Sequence, residues 1–264
     1  MTNELLEKIA DSQMILIGIG KEMEEDYQGM KEDDFYRPLL VRAQEEKDSA
    51  ALIQYLRCHY VRRHPNQRIM ESYEKLSDIL KDKNYFIVSL TEDDYIYNST
   101  LEKERIVTPC GGFRALQCEE ECRMDQEALV TDGHVILQVL DEIDHCDGDL
   151  SFVDFPVCAQ CCHTLWFNQI GTPGYREEGY LPQWEKYTRW LQGTLNRKLC
   201  IIELGAGMEY PSVIRFPFEK VAFFNQKAFF FRIHDKLPYV TEELAGRASA
   251  VKVNPVDFLL GDGK

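Results

Sequence analysis

Two apolar runs that each end in a glycine turn constrain the fold of this chain more than any other feature. Residues 14–17 (MILI) run into Gly18-Ile19-Gly20, and residues 199–204 (LCIIEL) run into Gly205-Ala206-Gly207. Nearly continuous apolar runs of this length are typical of strands that are buried on both faces of a parallel sheet. Further strand candidates lie at residues 85–88, 106–107, 228–233 and 251–253.

Helical periodicity separates these strand candidates along the chain. From about residue 37 to 82, apolar side chains recur every four residues, as at Leu52 and Leu56. Strands that alternate with helices predict an α/β fold, here a Rossmann-like, mostly parallel sheet with helices on both faces. Ligands bind outside the carboxyl ends of such strands, so we expect both glycine turns, residues 89–94 and His234 near one crevice.

The composition excludes several classes of protein. The chain has 264 residues, is 44% hydrophobic and carries a formal net charge of −15. It is therefore globular in composition, and no apolar run reaches the roughly 20 residues of a membrane span. The acidic N-terminus lacks a basic segment followed by an apolar stretch, so we expect no signal peptide, a cytoplasmic location and no membrane partner. The negative charge repels phosphate backbones, which argues against nucleic acid as a partner.

Most of the cysteines lie in residues 114–165, whose acidic middle we expect to be irregular. Two short-spaced cysteine pairs are typical of a structural zinc site, because they supply four soft ligands for a tetrahedron. Cys162 follows the second pair directly and could replace its last member. Alternatively, the cysteines are reduced thiols without a metal. The candidate ligands are Cys118 with Cys122, and Cys158 with Cys161.

The first glycine turn is also of a kind that binds dinucleotides. Small residues let backbone amides approach a phosphate, and the following helix can present its N-terminus. The third glycine of a G-x-G-x-x-G motif is absent, since Met23 stands there. The alternative is a tight strand exit without a ligand, but a second such turn after another buried strand favours a nucleotide site.

The order of these segments resembles the sirtuin family, the Sir2-like NAD-dependent protein deacylases and ADP-ribosyltransferases. Residues 17–20 (IGIG) resemble the family's first strand and G-A-G turn, and residues 86–94 (FIVSLTEDD) stand where it has V-V-T-Q-N-I-D-G. Cys110-Gly111-Gly112 occupies the place of H-G-(S/N), and residues 201–211 (IIELGAGMEYP) are similar to L-V-x-G-T-S-L-x-V-x-P. Residues 24–75, where the family has its D-F-R cofactor loop, have no recognisable match.

The resemblance implies NAD as cofactor and Zn²⁺ as a structural metal. Asp93 would hold the nicotinamide amide, and His234 would stand near the adenosine ribose. The residues implied at the pyrophosphate come from the two turns: Gly18, Ile19, Gly20, Gly205, Ala206 and Gly207. The implied domains are a Rossmann-like NAD-binding domain (1–115 and 166–264, with a helical insertion at 24–82) and a small zinc-binding module (116–165).

Several candidate catalytic residues depart from the sirtuin pattern. Cys110 stands where the family has its catalytic histidine, and Thr91 stands where it has the asparagine that orients ribose and water. An unperturbed thiol titrates at about 8.5, so Cys110 needs a lowered pKa to act as a base or nucleophile. Lys21 and Glu22 bring charge to the phosphate side of the first turn.

Two functions follow from the resemblance and its departures. The first is an NAD-dependent transferase, either a deacylase or an ADP-ribosyltransferase, that acts on a protein substrate with a modified or modifiable side chain. ADP-ribosyl transfer is the better match, because it relies on positioning and oxocarbenium stabilisation rather than on the missing base. The alternative is a non-catalytic NAD or ADP-ribose sensor, or a scaffold with a sirtuin fold, because two catalytic residues are replaced.

Overall fold

The centre of the molecule is a sheet of six parallel strands. The structure, a computed structural model, describes residues 1–118, 129–147 and 149–262. The sheet order is β3-β2-β1-β6-β7-β8, and two further strands, β4 and β5, form a small antiparallel sheet. The strands are β1 (Met14–Ile19), β2 (Tyr85–Ser89), β3 (Ile106–Val107), β4 (Gly111–Gln117), β5 (Trp166–Gln169), β6 (Leu199–Leu204), β7 (Ala228–Ile233) and β8 (Ala248–Val251).

Helices connect the strands, as the sequence predicted for an α/β fold. They are α1 (Asn3–Asp11), α2 (Gly29–Glu32), α3 (Tyr36–Glu45), α4 (Ser49–Arg63), α5 (Gln67–Leu80), α6 (Gly133–Asp144), α7 (Leu181–Gln192), α8 (Arg215–Phe224) and α9 (Pro255–Leu260). Local signals set several of the boundaries. Thr2 accepts a hydrogen bond from the Leu5 amide at the start of α1, and Asn254 accepts from the Val256 amide at the start of α9.

Alternate side chains of each central strand enter two hydrophobic cores, one on each face of the sheet. Ile15, Ile17 and Ile19 pack in one core with residues of α1, α3, α4, α5 and α9. Met14 and Leu16 pack in the other core with residues of α7 and α8. Because both faces are covered, all six residues of β1 are buried, which explains the unbroken apolar run in the sequence.

The expectation of an irregular middle in residues 114–165 was wrong where α6 lies. β4 reaches to Gln117, and α6 spans twelve residues with Ile136, Val139, Leu140 and Ile143 on its buried face. This spacing is that of an amphipathic helix, so the signal was present but lay among acidic neighbours. The last strand also lies earlier than predicted, at Ala248–Val251.

The strand order puts the two glycine turns side by side. β1 pairs with both β2 and β6, so the chain reverses its direction of winding between β1 and β6. At such a switch point the loops on either side diverge and leave a crevice at the carboxyl ends of the strands. Among the described helices, none combines the length and the apolar character that crossing a membrane requires.

Candidate functional site

The two glycine turns touch each other at the carboxyl end of the sheet. The Gly20 amide donates a hydrogen bond to the Leu204 carbonyl at 2.8 Å. A Cβ atom at Gly20 would overlap the Gly205 carbonyl, and Gly205 itself has a φ of +69°, where glycine is favoured. Glycine at these two positions therefore permits a backbone contact that other residues would block.

The other members of the turns have different surroundings. A Cβ atom at Gly18 would lie 2.5 Å from Cγ2 of Ile214 at the start of α8, so this glycine makes room for helix packing. The side chains of Ile19 and Ala206 are buried in the two cores. Gly207 is half-buried and faces Nε2 of His234.

Glu22 joins the end of β1 to the end of β7. Its Oε1 atom lies 2.8 Å from Nδ1 of His234, and its Oε2 atom accepts a hydrogen bond from the Asp235 amide at 3.0 Å. The Cβ atom of Glu22 also covers Gly205. Three strand ends, those of β1, β6 and β7, therefore meet around this carboxylate, as the sequence predicted for His234 and the two turns.

Asp93 is buried and uses both carboxylate oxygens within the protein. Oδ2 accepts a hydrogen bond from the Glu25 amide at 2.9 Å, and Oδ1 accepts one from the Tyr95 amide at 3.1 Å. Burial, together with the charge of Glu24, raises the pKa of Asp93 well above its usual range. Asp93 thus ties the loop after β1 to the end of β2.

Thr91, two residues after the end of β2, and Cys110, directly before β4, are both buried. The Thr91 hydroxyl lies 2.9 Å from Oγ of Ser89, within the turn after β2. The Cys110 carbonyl accepts a hydrogen bond from the Ile170 amide, and burial raises the pKa of the Cys110 thiol to about 12. A thiol with this pKa is protonated at neutral pH and cannot serve as a general base there.

A cluster of three charged residues, Lys21, Glu24 and Glu92, occupies the crevice beside Cys110. Nζ of Lys21 lies 2.9 Å from Glu24 and 2.6 Å from Glu92, and the Glu92 amide donates to Glu24 Oε1 at 2.6 Å. All three side chains are between 14% and 23% exposed, so they are sheltered but reachable from solvent. We call this group the Lys21 cluster.

The charges of the Lys21 cluster perturb one another. Burial alone would lower the pKa of Lys21, but Glu24 and Glu92 raise it above the usual value. Burial raises the pKa values of Glu24 and Glu92, and Lys21 opposes this shift. With all three groups ionised the cluster carries one net negative charge, and Glu209 nearby adds to the negative potential.

Sequence reasoning identified Lys21 as a candidate but missed Glu24 and Glu92. Glu92 lies next to Asp93 in residues 89–94, which we predicted to lie at the crevice. This position is the sequence signal that could have identified Glu92. Glu24 belongs to an acidic stretch that resembles a solvated surface. Its contact with Glu92 joins residues that are far apart in sequence, so only the fold brings them together.

Three cysteines form a cluster next to the small antiparallel sheet. The Sγ atoms of Cys118, Cys158 and Cys161 lie within 4.8 Å of one another, and those of Cys118 and Cys161 are 3.4 Å apart. The second distance is near the roughly 3.8 Å edge of a tetrahedron with Zn–S bonds of about 2.3 Å. The cluster can therefore hold a metal ion. Cys162 is exposed and is not part of it, and Cys122 lies outside the described residues.

The fold is sirtuin-like. Several solved Sir2 structures superpose on nearly the whole chain. The structure of Sir2Tm bound to a propionylated peptide has a TM-score of 0.54 and 11% identity over 98% of this chain and 95% of that chain. A mutant Sir2 homologue in complex with ADP-ribose has a TM-score of 0.54 and 14% identity over 98% and 94%. A Sir2 complex with a p53 peptide and NAD⁺ has a TM-score of 0.52 and 11% identity over 99% and 97%.

One curated relative is similar in sequence. It is a probable bifunctional ADP-ribose hydrolase/ADP-ribosyltransferase of Fusarium oxysporum f. sp. cubense, 30% identical over 145 residues. The match covers 51% of this chain and 23% of the relative, so the chain spans about a quarter of that protein. No protein-family model matches the chain.

Proposed function

We propose that this protein transfers ADP-ribose from NAD to a side chain of a protein acceptor. The observation that carries the proposal is the Lys21 cluster, which places two carboxylates beside the joined strand ends of β1, β2 and β6. The sirtuin-like fold supports NAD as the substrate, since a Sir2 structure of this fold was solved with NAD⁺. The Fusarium relative supports ADP-ribosyl transfer over other uses of NAD.

The charge of the crevice fits the nicotinamide end of NAD. The nicotinamide ring is a cation, and positive charge develops on the adjacent ribose carbon as the glycosidic bond breaks. Fixed charges that face a developing charge of opposite sign lower the barrier, and they act more strongly where water is excluded. Glu24 and Glu92, with the single Lys21 cation between them, leave the crevice net negative and so suit this change.

The transfer can be written with this chain's residues in defined roles. The bond between ribose C1′ and the nicotinamide nitrogen breaks, and the nitrogen keeps the electron pair. A nucleophilic atom of the acceptor side chain forms a bond to C1′ and releases its proton, which Glu92 or Glu24 would take. Lys21 holds the two carboxylates in place.

Deacylation is less well supported by the residues present. In the sirtuin pattern a histidine removes a proton from a ribose hydroxyl, and here Cys110 stands at that position. Its thiol pKa of about 12 prevents it from accepting a proton at neutral pH. Transfer to a nucleophilic acceptor does not need a base at Cys110.

Calorimetric titration with NAD, followed by an assay of nicotinamide release, tests the proposal. We expect NAD to bind, and we expect nicotinamide to be released faster when an acceptor protein is present. Binding without release under any condition supports the alternative, a non-catalytic NAD or ADP-ribose sensor, which the loss of a base at Cys110 favours. An absence of binding at millimolar NAD contradicts the proposed transfer from NAD.

We further propose that the metal of the cysteine cluster is a structural Zn²⁺, with Cys122 as the fourth ligand. The thiolate donors suit zinc, and a site closed by four protein ligands has no open position for catalysis. Cys118 lies at the end of β4, and Cys158 and Cys161 lie on the loop that leads to β5. The metal would therefore join the two strands of the small sheet.

We expect native mass spectrometry to find one zinc ion per chain. Cys161→Ser should lose it, because this change removes a ligand from the cluster. The adjacent change Cys162→Ser is the matched control and should keep the metal, since Cys162 is exposed and outside the cluster. Retention in Cys161→Ser with loss in Cys162→Ser would show that Cys162 is the true ligand.

A further inference from the structure

A cavity at the segment after β2 is formed by residues outside the Lys21 cluster, and Asp93 and Asp94 are part of its wall. It has a volume of about 350 Å³ and is lined by the end of α4, the start of α5, the turn after β2, and β4. None of Lys21, Glu24, Glu92 and Cys110 lines it. Pockets of roughly 300 Å³ and above hold small ligands and bury most of their surface. The cavity is therefore large enough for a small ligand of fragment size.

The lining of the cavity combines aromatic and aliphatic side chains with a nearly equal share of polar ones. Tyr95, Tyr97 and Phe113 line it and are 9% exposed or less. Val61 and Met70 add aliphatic surface. Flat aromatic walls favour a flat ring, because offset or edge-to-face packing of rings adds to the effect of burying apolar area.

Two arginines supply the positive charge of this cavity. The guanidinium of Arg114 lies 3.5 Å from the centre of the Tyr97 ring, and its Nε is 3.3 Å from Oδ1 of Asp94. Arg62, in the last turn of α4, is exposed, and its charge lowers the pKa of the Cys58 thiol against the effect of burial. Within the described part of the chain, no carboxylate lies within 4.0 Å of the Arg62 guanidinium.

The carboxylates that line the cavity do not neutralise both arginines. Asp93 is held by two backbone amides. Asp94 accepts hydrogen bonds from the Phe113 amide and from Arg114, and its charge also acts on Arg62. Burial raises the pKa of Asp94 to about 6, so it is mostly ionised at neutral pH. Two guanidinium groups therefore face one partly shared carboxylate, Asp94.

We propose that this cavity binds a small aromatic monocarboxylate. The ring would lie against Tyr97 and Phe113, and the carboxylate would pair with Arg62, whose planar fork matches carboxylate geometry. The Asp94 carboxylate balances one of the two guanidinium charges, and a ligand with one negative charge would balance the other. A phosphate, with more negative charge, would be repelled by the Asp94 carboxylate.

The occupant would contact a structurally central turn. Asp94 has a φ of +60° and accepts the Phe113 amide of β4, while Asp93 accepts the Glu25 amide of the loop after β1. A ligand that binds only the folded protein raises its apparent stability by mass action. Binding in this cavity should therefore also raise the thermal midpoint of unfolding.

Calorimetric titration of the full chain with benzoate, in the absence of NAD, tests the proposal. We expect benzoate to bind. Benzamide has the ring without the charge, and we expect its affinity to be lower than that of benzoate by a factor of about ten or more. Acetate and inorganic phosphate should also bind more weakly than benzoate. Equal binding of benzoate and benzamide, tighter binding of phosphate, or no benzoate binding at millimolar concentration would each overturn the proposal.

Substitutions in α4 locate the site. Arg62→Gln should weaken benzoate binding about tenfold or more, and Arg62→Lys should restore part of the loss, because it keeps the charge without the fork. Arg63→Gln removes the same charge from the next position, where the side chain pairs with Asp144, and should leave binding unchanged. Unchanged binding in Arg62→Gln contradicts the assignment. The titrations contain no NAD, so their outcome does not depend on the proposed transfer.

Discussion

The Glu92→Gln variant is expected to release nicotinamide from NAD about 10² to 10⁴ times more slowly than the unmodified protein. Glutamine has nearly the same size and keeps an oxygen that can accept from Lys21 Nζ, so the cluster should retain its shape. It removes the negative charge that we place opposite the developing positive charge. Glu24→Gln should have an effect in the same direction, because both carboxylates share Lys21.

Initial rates at saturating NAD, with circular dichroism to establish folding, check this expectation. Glu7→Gln is the matched control, because Glu7 is an exposed glutamate of α1 and should leave the rate unchanged. The acid limb of the pH profile gives a second readout. The pKa values of Glu24 and Glu92 are raised. As the pH is lowered, the rate should therefore begin to fall at a pH higher than the usual pKa of a glutamate. Equal rates for Glu92→Gln and the unmodified protein would remove Glu92 from the mechanism.

The sequence predicted the central sheet well because its strands are buried on both faces. Four of its strands coincide with apolar runs of the kind that parallel sheets require, namely β1, β2, β6 and β7. The position of the glycine turns followed from the same rule, since consecutive parallel strands end at one edge of the sheet. The convergence of His234 with these turns could therefore be predicted without knowledge of any side-chain contact.

The small sheet and the charged site could not be predicted in the same way. β4 has exposed and buried residues in an irregular order, and its pairing with β5 includes a register shift. The Lys21 cluster depends on contacts between Lys21 and Glu92 across the chain. Acidic residues that pair with a half-buried lysine look the same in sequence as solvated ones, so the distinction needs the tertiary structure.

The Arg232→Met variant is expected to lose about 3 to 5 kcal/mol of the free energy of unfolding. Arg232 is 1% exposed and pairs with the fully buried Glu203 through Nε at 2.7 Å and Nη2 at 3.2 Å. It also bonds Glu219 and the Tyr239 carbonyl. Removing the guanidinium leaves Glu203 in the core between β6 and β7 without its main partner. Such a loss is a large share of the roughly 5 to 15 kcal/mol of a typical domain.

Guanidinium chloride denaturation of matched variants separates the buried pair from general effects of losing an arginine. Arg37→Met removes an arginine whose ion pair with Asp34 is exposed, and it should change stability by no more than about 1 kcal/mol. The double variant Glu203→Leu/Arg232→Met should recover much of the loss, because no buried charge remains. A loss in Arg232→Met as small as that in Arg37→Met would contradict the role of the pair.

The pH dependence of the Arg232→Met effect has a defined sign. Burial, opposed by Arg232, raises the pKa of Glu203 to about 7 in the folded protein. A carboxyl group with a raised folded pKa stabilises the fold when protonated, and this stability is lost as pH rises through that pKa. Without Arg232 the pKa of Glu203 rises further, so the variant continues to lose stability above pH 7, where the unmodified protein levels off. Denaturation at a series of pH values should therefore show the gap between the two proteins widening toward alkaline pH, and a gap that narrows would exclude Glu203 as its source.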